Sequence, residues 1–272
     1  MNGSLRVSCL GAGNMAEALV RGWLESGVCS PETLCVADPS PARRDLFTQT
    51  YGIRACSDNL DALDQAEILL LAVKPQIARD VLTAIAPARQ PGQWLLSIAA
   101  GLTTTKLETW LGADAPVVRV MPNTPALVGR GMSALCPGRH ATSLHLETAD
   151  TLLRAVGKVV VVEEAMMDAV TAVSGSGPAY LFYFAEALQH AAEQAGLPPE
   201  LARQLAEETL SGAGELLRAS PEPAAELRAK VTSKGGTTAA AIATLETGDL
   251  SGLIARAVAA ARDRSRELAS QD

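Results

Sequence analysis

Val7-Ser-Cys-Leu-Gly-Ala-Gly-Asn-Met-Ala16 decides the fold, because it combines an apolar strand, a glycine turn and a helix start. Gly11 permits the tight turn, Gly13 lets a diphosphate approach the backbone, and Ala16 lets the helix pack close to the sheet. A GxGxxA motif alone is weak. Here it follows a strand and precedes a helix near the start of the chain, which predicts a dinucleotide-binding β-α-β unit.

Outward from this motif, the first half alternates short apolar runs with helical patterns. The predicted strands are Leu5–Leu10, Thr33–Ala37, Glu67–Val73, Trp94–Ile98, Val117–Met121, Gly131–Cys136 and Lys158–Glu163. The predicted helices are Asn14–Ser26, Pro41–Tyr51, Pro75–Ala88, Thr105–Leu111 and Leu144–Val156. Most strands are apolar throughout rather than alternating, as expected for strands buried on both faces. This pattern predicts an α/β domain over residues 1–165, with a doubly wound, mainly parallel sheet.

The second half carries no strand signal. Its predicted helices are Met166–Val173, Pro178–Ala195, Pro199–Ala219, Ala224–Val231, Thr238–Glu246 and Ser251–Ala269. Glycine and proline clusters separate them. Residues 166–272 are therefore expected to form an all-α domain.

One of these helices contains a stretch without a polar face, Ala179–Ala185. Tyr180, Phe182, Tyr183 and Phe184 are four of only nine aromatic residues in the chain, and they stand within two helical turns. A helix that is apolar all round must be covered on every side. We expect a subunit interface here, with a central helix of the domain as the alternative.

Composition excludes several classes of function. The formal charge is −7 and aromatic residues make up 3%, which argues against a nucleic-acid partner. No apolar run approaches the roughly 18 residues of a membrane span, and the amino-terminal residues lack the pattern of a signal peptide. The five cysteines are odd in number and form no CxxC pair, which predicts reduced thiols in a cytoplasmic protein. The three histidines show no metal-ligand spacing, so no metal site is expected.

The end of the second strand gives conflicting signals about the cofactor. Asp38 would accept hydrogen bonds from the adenosine ribose and favour NAD, whereas Ser40, Arg43 and Arg44 would bind a 2′-phosphate and favour NADP. A solvated helix start is the plain alternative for the arginines. These residues by themselves leave NADPH and NADH both open.

Two further segments follow strands whose ends should line the same edge of the sheet. In Ala72-Val-Lys-Pro75, the proline keeps Lys74 extended and starts a helix. In Ser97-Ile-Ala-Ala-Gly101, small residues allow a flat ring or ribose to lie against the backbone. Each is equally explained as an ordinary strand-to-helix turn.

The helical half contains one candidate substrate loop, Thr232-Ser-Lys-Gly-Gly-Thr-Thr238. Glycines expose the backbone, threonines can cap the next helix or donate from their hydroxyls, and a helix start captures a carboxylate. A capped interhelical loop is the alternative. With no evident metal, nucleophile or histidine base, a nucleotide cofactor points to hydride transfer. A protonated imine is a suitable acceptor, and a small imino acid would match the loop.

Taken together, the motifs resemble those of the pyrroline-5-carboxylate reductase family. The segments that carry the resemblance occur in the family's order and span almost the whole chain. They are Gly11-Ala-Gly-Asn-Met15, Ala72-Val-Lys-Pro75, Ser97-Ile-Ala-Ala-Gly101, Met121-Pro-Asn-Thr-Pro125, Ser174-Gly-Ser-Gly-Pro-Ala-Tyr180 and Thr232-Ser-Lys-Gly-Gly-Thr-Thr238.

The resemblance implies an N-terminal Rossmann domain and a C-terminal helical dimerisation domain, with dimers assembled further into decamers. It implies reduction of 1-pyrroline-5-carboxylate to L-proline by NADPH or NADH. The implied cofactor residues are Gly11, Ala12, Gly13, Asn14 and Met15 at the diphosphate, Asp38, Ser40 and Asn59 at the ribose, and Ala72, Val73, Lys74, Pro75, Ala99, Ala100 and Gly101 elsewhere. The implied substrate residues are Ser233, Gly236 and Thr237 at the carboxylate, Thr238 at the ring nitrogen, and Glu164 in the pocket. For Asn59, a helix cap is the alternative.

Two other functions compete with this one. A β-hydroxyacid dehydrogenase also joins a glycine-turn domain to helices, but it needs a lysine on a central helix, and helix 178–195 has none. A non-catalytic nucleotide sensor would bind cofactor without turnover. The Gly235-Gly236-Thr237-Thr238 segment argues against a sensor, which needs no carboxylate trap.

Overall fold

The computed structural model describes residues 5–270, and these divide into two compact units. The first contains the described residues up to Ser176 together with those from Ala261 onward. The second contains Gly177–Ala260.

The first unit is built on one sheet, whose eight strands within the described residues lie in the order β3-β2-β1-β4-β5-β6-β7-β8. The strands are β1 Val7–Leu10, β2 Leu34–Ala37, β3 Arg54–Cys56, β4 Ile68–Leu71, β5 Trp94–Ser97, β6 Val117–Met121, β7 Gly131–Pro137 and β8 Gly157–Val161. All neighbouring pairs are parallel except β6 and β7. The order reverses between β1 and β4, which is where such sheets bind ligands, beyond the carboxyl ends of the strands.

The central strands are mainly apolar because both of their faces are covered; the exceptions are the buried Ser8 and Ser97. Every residue of β1, β2, β4 and β5 is buried. Alternate side chains of β4 enter different core layers: Leu70 packs on one face with Leu19 and Trp23, and Leu69 packs on the other with Leu82. Each fully buried leucine contributes about 1.5–3 kcal/mol.

Helices cover the two faces of this sheet. They are α1 Asn14–Glu25, α2 Pro41–Tyr51, α3 Pro75–Ile85, α4 Thr104–Leu111, α5 Ser143–Arg154 and the short α6 Met167–Val170. Local signals set their limits. Proline occupies the first turn of α2 and α3, where its missing N–H costs nothing. Gly52 ends α2 in the left-handed conformation, and the Thr103 side chain caps α4.

The second unit is helical. It contains α7 Gly177–Gln194, α8 Pro199–Ala219, α9 Ala224–Lys230, α10 Thr237–Thr247 and the first part of α11 Leu250–Ser270. None of the side chains of α7 is buried, and Phe182 and Tyr183 are 63% and 73% exposed in the single chain. A helix this apolar and this exposed is unstable in water without a further covering surface.

The α/β fold with a helical second part confirms the fold class expected from the sequence, with three local differences. β3 was not predicted, because it has three residues and none is fully buried. The π-helical turn Thr171–Gly175 was also not predicted. Residues 166–176, which the sequence assigns to the helical half, belong to the first unit. The division at 165/166 itself remains a prediction.

Within residues 5–270, none of the helices combines the length and apolar character that crossing a bilayer requires.

Candidate active site

The turn after β1 can be occupied only by glycine at its first position. Gly11 has φ +101°, and a Cβ there would lie 2.9 Å from the backbone carbon and oxygen of Ala72. The Gly11 N–H donates to the Ala37 carbonyl at 2.8 Å, which ties the turn to β2. Any side chain at position 11 would therefore push β1 and β4 apart.

The start of α1 suits an anion. Gly13 is exposed at the N-cap, and no side chain caps the helix. The backbone N–H groups of the first turn thus have no side-chain acceptor, and the helix dipole adds positive potential. Asn14 and Met15 lie in this turn, so the residues present fit the diphosphate of a dinucleotide.

The segment between β2 and α2 has most of its polar groups bonded within the protein. Asp38 accepts from the Ala12 N–H with Oδ2 and from the Ser40 N–H with Oδ1, both at 2.9 Å. Arg43 Nε donates to the Ala12 carbonyl at 2.5 Å. Arg44 Nη1 donates to the carbonyls of Asp38 and Pro39 at 2.8 and 2.9 Å.

The neighbouring Asn59 stands at the N-cap of the 3-10 turn Leu60–Ala62. Its side chain makes no capping hydrogen bond there. Its amide therefore remains available for another partner.

The ends of β4 and β5 lie along the same edge as the glycine turn, because β1, β4 and β5 are parallel neighbours. Lys74 is extended (φ −60°, ψ 142°) and α3 begins at Pro75, as the sequence predicted. After β5, Ala100 is exposed, while Ala99 and Gly101 are buried. Gly101 has φ +76°, a conformation that favours glycine.

Glu164 lies in the first unit with its carboxylate fully engaged. Oε1 accepts from the Thr104 N–H at 2.8 Å and from Arg119 Nη1 at 3.0 Å. Oε2 accepts from the Thr104 hydroxyl at 2.5 Å. Arg119 is a buried cation on β6, so removing Glu164 would leave an unpaired buried charge. These contacts favour a role in fixing the start of α4 to β6 over direct contact with a substrate.

The candidate carboxylate loop, residues 232–238, lies in the second unit. Gly236 is the N-cap of α10, and no side chain caps this helix start. The threonines therefore do not cap it as the sequence suggested; Thr237 and Thr238 lie in the first turn instead. Gly235 adopts φ +73°, and the Gly236 N–H donates to the Ser233 carbonyl at 3.0 Å. The uncapped first turn, with two threonine hydroxyls, fits a carboxylate.

Comparison with known proteins matches both parts of the chain. A family model described as "Pyrroline-5-carboxylate reductase dimerisation" matches residues 164–268. One described as "NADP oxidoreductase coenzyme F420-dependent" matches residues 6–101. A pyrroline-5-carboxylate reductase of Pseudomonas aeruginosa is 42% identical over 267 residues, covering 98% of this chain and 97% of the relative. The chain belongs to the pyrroline-5-carboxylate reductase family.

Other members of the pyrroline-5-carboxylate reductase family agree over the same length. The protein of Arabidopsis thaliana is 40% identical, covering 97% of this chain and 96% of its own. The solved structure of the Coxiella burnetii reductase has a TM-score of 0.93 at 36% identity, covering 99% and 100%. That of Plasmodium falciparum, with NADP bound, has a TM-score of 0.86 at 32% identity, covering 98% of each chain.

More remote neighbours share the fold only. The prephenate dehydrogenase of Aquifex aeolicus has a TM-score of 0.55 at 14% identity. The full-length match to pyrroline-5-carboxylate reductases decides against the competing assignment to the β-hydroxyacid dehydrogenases.

Two family segments acquire a structural role that sequence reasoning missed. Asn123 Nδ2 donates to the Ser174 carbonyl at 3.2 Å, while Asn123 Oδ1 accepts from the Met132 N–H at 2.8 Å. One side-chain amide thus connects Met121-Pro-Asn-Thr-Pro125 to the loop before α7. Arg119 was missed as well, although a single charge inside the apolar strand Val117–Met121 was a visible signal.

Proposed function

We propose that this chain reduces 1-pyrroline-5-carboxylate to L-proline, the last step of proline biosynthesis, with NADPH as the hydride donor and NADH as the alternative. The observation that carries the proposal is its similarity to curated pyrroline-5-carboxylate reductases, 40–42% identical over nearly the whole of both chains. Two uncapped helix starts, at α1 and α10, support it because each suits one of the two anionic ligands.

The first unit supplies the cofactor residues. In the turn Gly11–Met15, the N–H groups of Gly11 and Ala12 donate to Ala37 and Asp38, so the diphosphate binds to those that follow, from Gly13 to Met15. Asp38, Ser40 and Asn59 face the adenosine ribose. The segments Ala72–Pro75 and Ala99–Gly101 line the remainder. When bound, the nicotinamide supplies the hydride. The protein contributes position and orientation, which can account for much of the barrier reduction.

The loop before α10 supplies the substrate residues. Ser233, Gly236 and Thr237 bind the carboxylate through N–H groups or a hydroxyl. The Thr238 hydroxyl hydrogen-bonds the ring nitrogen and assists its protonation, so that the C=N carbon accepts the hydride more readily. This assignment rests on the uncapped first turn of α10 and on the resemblance of the segment to the family motif.

The preference for NADPH depends on the segment between β2 and α2. Among residues 5–270, the Ser40 hydroxyl caps no helix and Arg44 bonds through Nη1 alone, which leaves donors for a 2′-phosphate. Asp38 has both oxygens bonded to backbone N–H groups, so its charge is partly offset. These contacts favour NADPH over NADH.

We also propose a homodimer formed through the helical part, assembled further into a decamer, with residues 1–165 and 166–272 as the cofactor and dimerisation domains. The match of residues 164–268 to the family's dimerisation model supports the dimer. The exposed aromatic side chains of α7 support it too. The five free cysteines favour the cytoplasm.

The test is cofactor oxidation followed at about 340 nm with 1-pyrroline-5-carboxylate, using NADPH and NADH in parallel. Turnover with formation of proline supports the reaction, and the ratio of kcat/KM values gives the cofactor preference. Tight cofactor binding without turnover would overturn the proposal in favour of a nucleotide sensor or a different imino or keto acid.

A further inference from the structure

Two side chains that follow β2, those of Asp38 and Arg43, form hydrogen bonds with the same residue of the glycine turn, Ala12. The Ala12 N–H donates to Asp38 Oδ2 at 2.9 Å, and the Ala12 carbonyl accepts from Arg43 Nε at 2.5 Å. Ala12 is itself fully buried. Both peptide groups that flank Ala12 are thereby fixed by charged partners, and such hydrogen bonds are stronger than those between neutral groups.

The bond from Arg43 acts on the next residue. The Ala12 carbonyl and the Gly13 N–H belong to one planar trans peptide, so they point in opposite directions. A guanidinium that holds the Ala12 carbonyl on its own side therefore turns the Gly13 N–H, at the N-cap of α1, to the opposite side. Hydrogen bonding at the carbonyl also polarises the peptide and strengthens its N–H as a donor.

Arg43 is held in this orientation by further contacts. Its Nη2 donates to Glu17 Oε2 on α1 at 2.7 Å, and Glu17 Oε1 accepts from the Tyr51 hydroxyl at 3.2 Å. The guanidinium carbon lies 5.5 Å from the centre of the Phe47 ring. Two of the three side-chain nitrogens of Arg43 thus donate hydrogen bonds within the protein, and the side chain is only 28% exposed.

The adjacent Arg44 makes different contacts. It uses Nη1 alone, on the Asp38 and Pro39 carbonyls, and within residues 5–270 its Nε and Nη2 have no hydrogen bond. The two neighbouring arginines are therefore not equivalent, although the sequence presents them as one basic pair.

We propose that Arg43 is a positioning residue for the cofactor diphosphate, acting through the Ala12–Gly13 peptide, and that Arg44 alone of the pair contacts the 2′-phosphate. This inference rests on the proposed dinucleotide cofactor. NADPH and NADH share the diphosphate and differ in the 2′-phosphate, so the two roles have separable consequences. Loss of Arg43 weakens the binding of both dinucleotides equally. Loss of Arg44 weakens the binding of NADPH selectively.

The test measures dissociation constants by calorimetry for the intact protein and two variants, with NADPH, NADH and adenosine 2′-monophosphate as probes. Arg43→Met keeps an unbranched side chain and removes the hydrogen-bond donors together with the guanidinium over Phe47. Arg44→Met is the matched control one residue away. Arg43→Met is expected to raise the dissociation constants of NADPH and NADH by the same factor, about tenfold, which corresponds to about 1.4 kcal/mol. The same variant is expected to leave the dissociation constant of adenosine 2′-monophosphate unchanged, because this probe has no diphosphate.

Arg44→Met is expected to raise the dissociation constants of NADPH and adenosine 2′-monophosphate by a similar factor and to leave that of NADH unchanged. The inference fails if Arg43→Met weakens NADPH and spares NADH, or changes neither. It also fails if Arg43→Met weakens all three probes alike, since that would indicate a general collapse of the loop. Arg43→Lys provides a second variant if Arg43→Met does not fold. Lysine lacks the planar guanidinium with which Arg43 donates to Ala12 and Glu17 together.

Failure of the proposed function looks different. A wild-type chain that binds both dinucleotides but does not reduce 1-pyrroline-5-carboxylate overturns the substrate and leaves the binding comparison intact. A wild-type chain that binds neither dinucleotide overturns both proposals.

Discussion

At the scale of single residues, many of the groups that we propose for ligand binding are backbone groups of small residues, such as Gly13 and Gly236. Gly11 has a conformation and a close neighbour in Ala72 that no side chain tolerates. Thr238 is the one hydroxyl for which we propose a part in proton transfer. Its removal is therefore the most direct test of the chemistry at α10.

Thr238→Ala is expected to lower kcat by about 10²-fold, the usual loss for one positioned donor. The dissociation constant for NADPH is expected to stay the same, because the cofactor residues lie elsewhere in the chain. Thr238→Ser keeps the hydroxyl and serves as the control, with most of kcat retained. Equal rates for the alanine variant and the wild type would remove Thr238 from the mechanism.

The cysteines are expected to differ sharply in reactivity. Burial raises the pKa of Cys29 and Cys35 to about 12 and that of Cys136 to about 11, and it raises the pKa of Cys9 as well. At about pH 8 these thiols are protonated and inert. Cys56 is half-buried and accessible, so iodoacetamide should label it first in the native protein.

Peptide mass spectrometry after brief alkylation measures this order. Cys56→Ser should abolish the early label, while unfolding in guanidinium should expose all five cysteines. Early labelling of Cys35, whose Sγ lies 3.3 Å from that of Cys56, would contradict the assignment.

At the scale of elements, helix starts decide both stability and ligand binding. α1 and α10 have no side-chain cap, whereas α4 and α5 do. At α5, the Thr142 N–H donates to His145 Nδ1 at 3.0 Å, which requires that nitrogen to be unprotonated. The two starts that we assign to ligands are uncapped, but α2, α3, α8 and α9 also begin without a side-chain cap, so a missing cap permits ligand binding without identifying it.

The cap at α5 makes stability depend on pH. Burial lowers the pKa of His145 below its usual 6.5, and its ring lies 5.2 Å from that of Trp94. The unfolded chain therefore takes up the proton first as pH falls below 6.5, and the stability from neutral His145 is lost as pH falls through its folded pKa. The wild-type unfolding temperature should fall on acidification partly for this reason.

His145→Gln keeps the capping box without a titrating group. Between about pH 7.5 and about pH 5, its unfolding temperature is expected to fall less than that of the wild type, by up to about 3 °C. Differential scanning calorimetry of both proteins measures the difference. Parallel curves would mean that His145 contributes nothing to the pH dependence.

At the scale of the whole molecule, the helical unit exposes more apolar surface than one chain can cover. Phe182, Tyr183 and Leu181 on α7 are each more than half exposed. Such a surface usually marks a protein interface. The family's dimerisation region, residues 164–268, includes it.

Phe182→Glu is expected to weaken self-association by at least about 10²-fold, because a carboxylate buried in an apolar interface loses its hydration. Light scattering after size exclusion would then show a smaller assembly. Leu144→Glu on α5 is the control, since Leu144 is similarly exposed but lies outside residues 164–268. An unchanged mass for Phe182→Glu would show that α7 is not the interface.

The sequence by itself determined the features that depend on neighbouring residues. Four mainly apolar strands, a Gly-x-Gly turn before a helix, and prolines at helix starts specify the α/β unit and the edge at which a dinucleotide would bind. The family segments, read in order, predicted the family that the comparisons confirmed. These features could be predicted because strand burial, tight turns and helix starts are encoded within a few residues.

Only the tertiary structure decided the features that depend on distant residues. The short edge strand β3 exists because β2 pairs with it, and β7 runs against β6 because of where the chain returns. Arg119 meets Glu164 across 45 positions, and Asn123 meets Ser174 across 51. Arg43 and Arg44 are neighbours of one chemical type, yet one contacts the Ala12 carbonyl and the other does not. The order of residue types along a chain does not give the distances between remote residues, so only the folded structure distinguishes the two arginines.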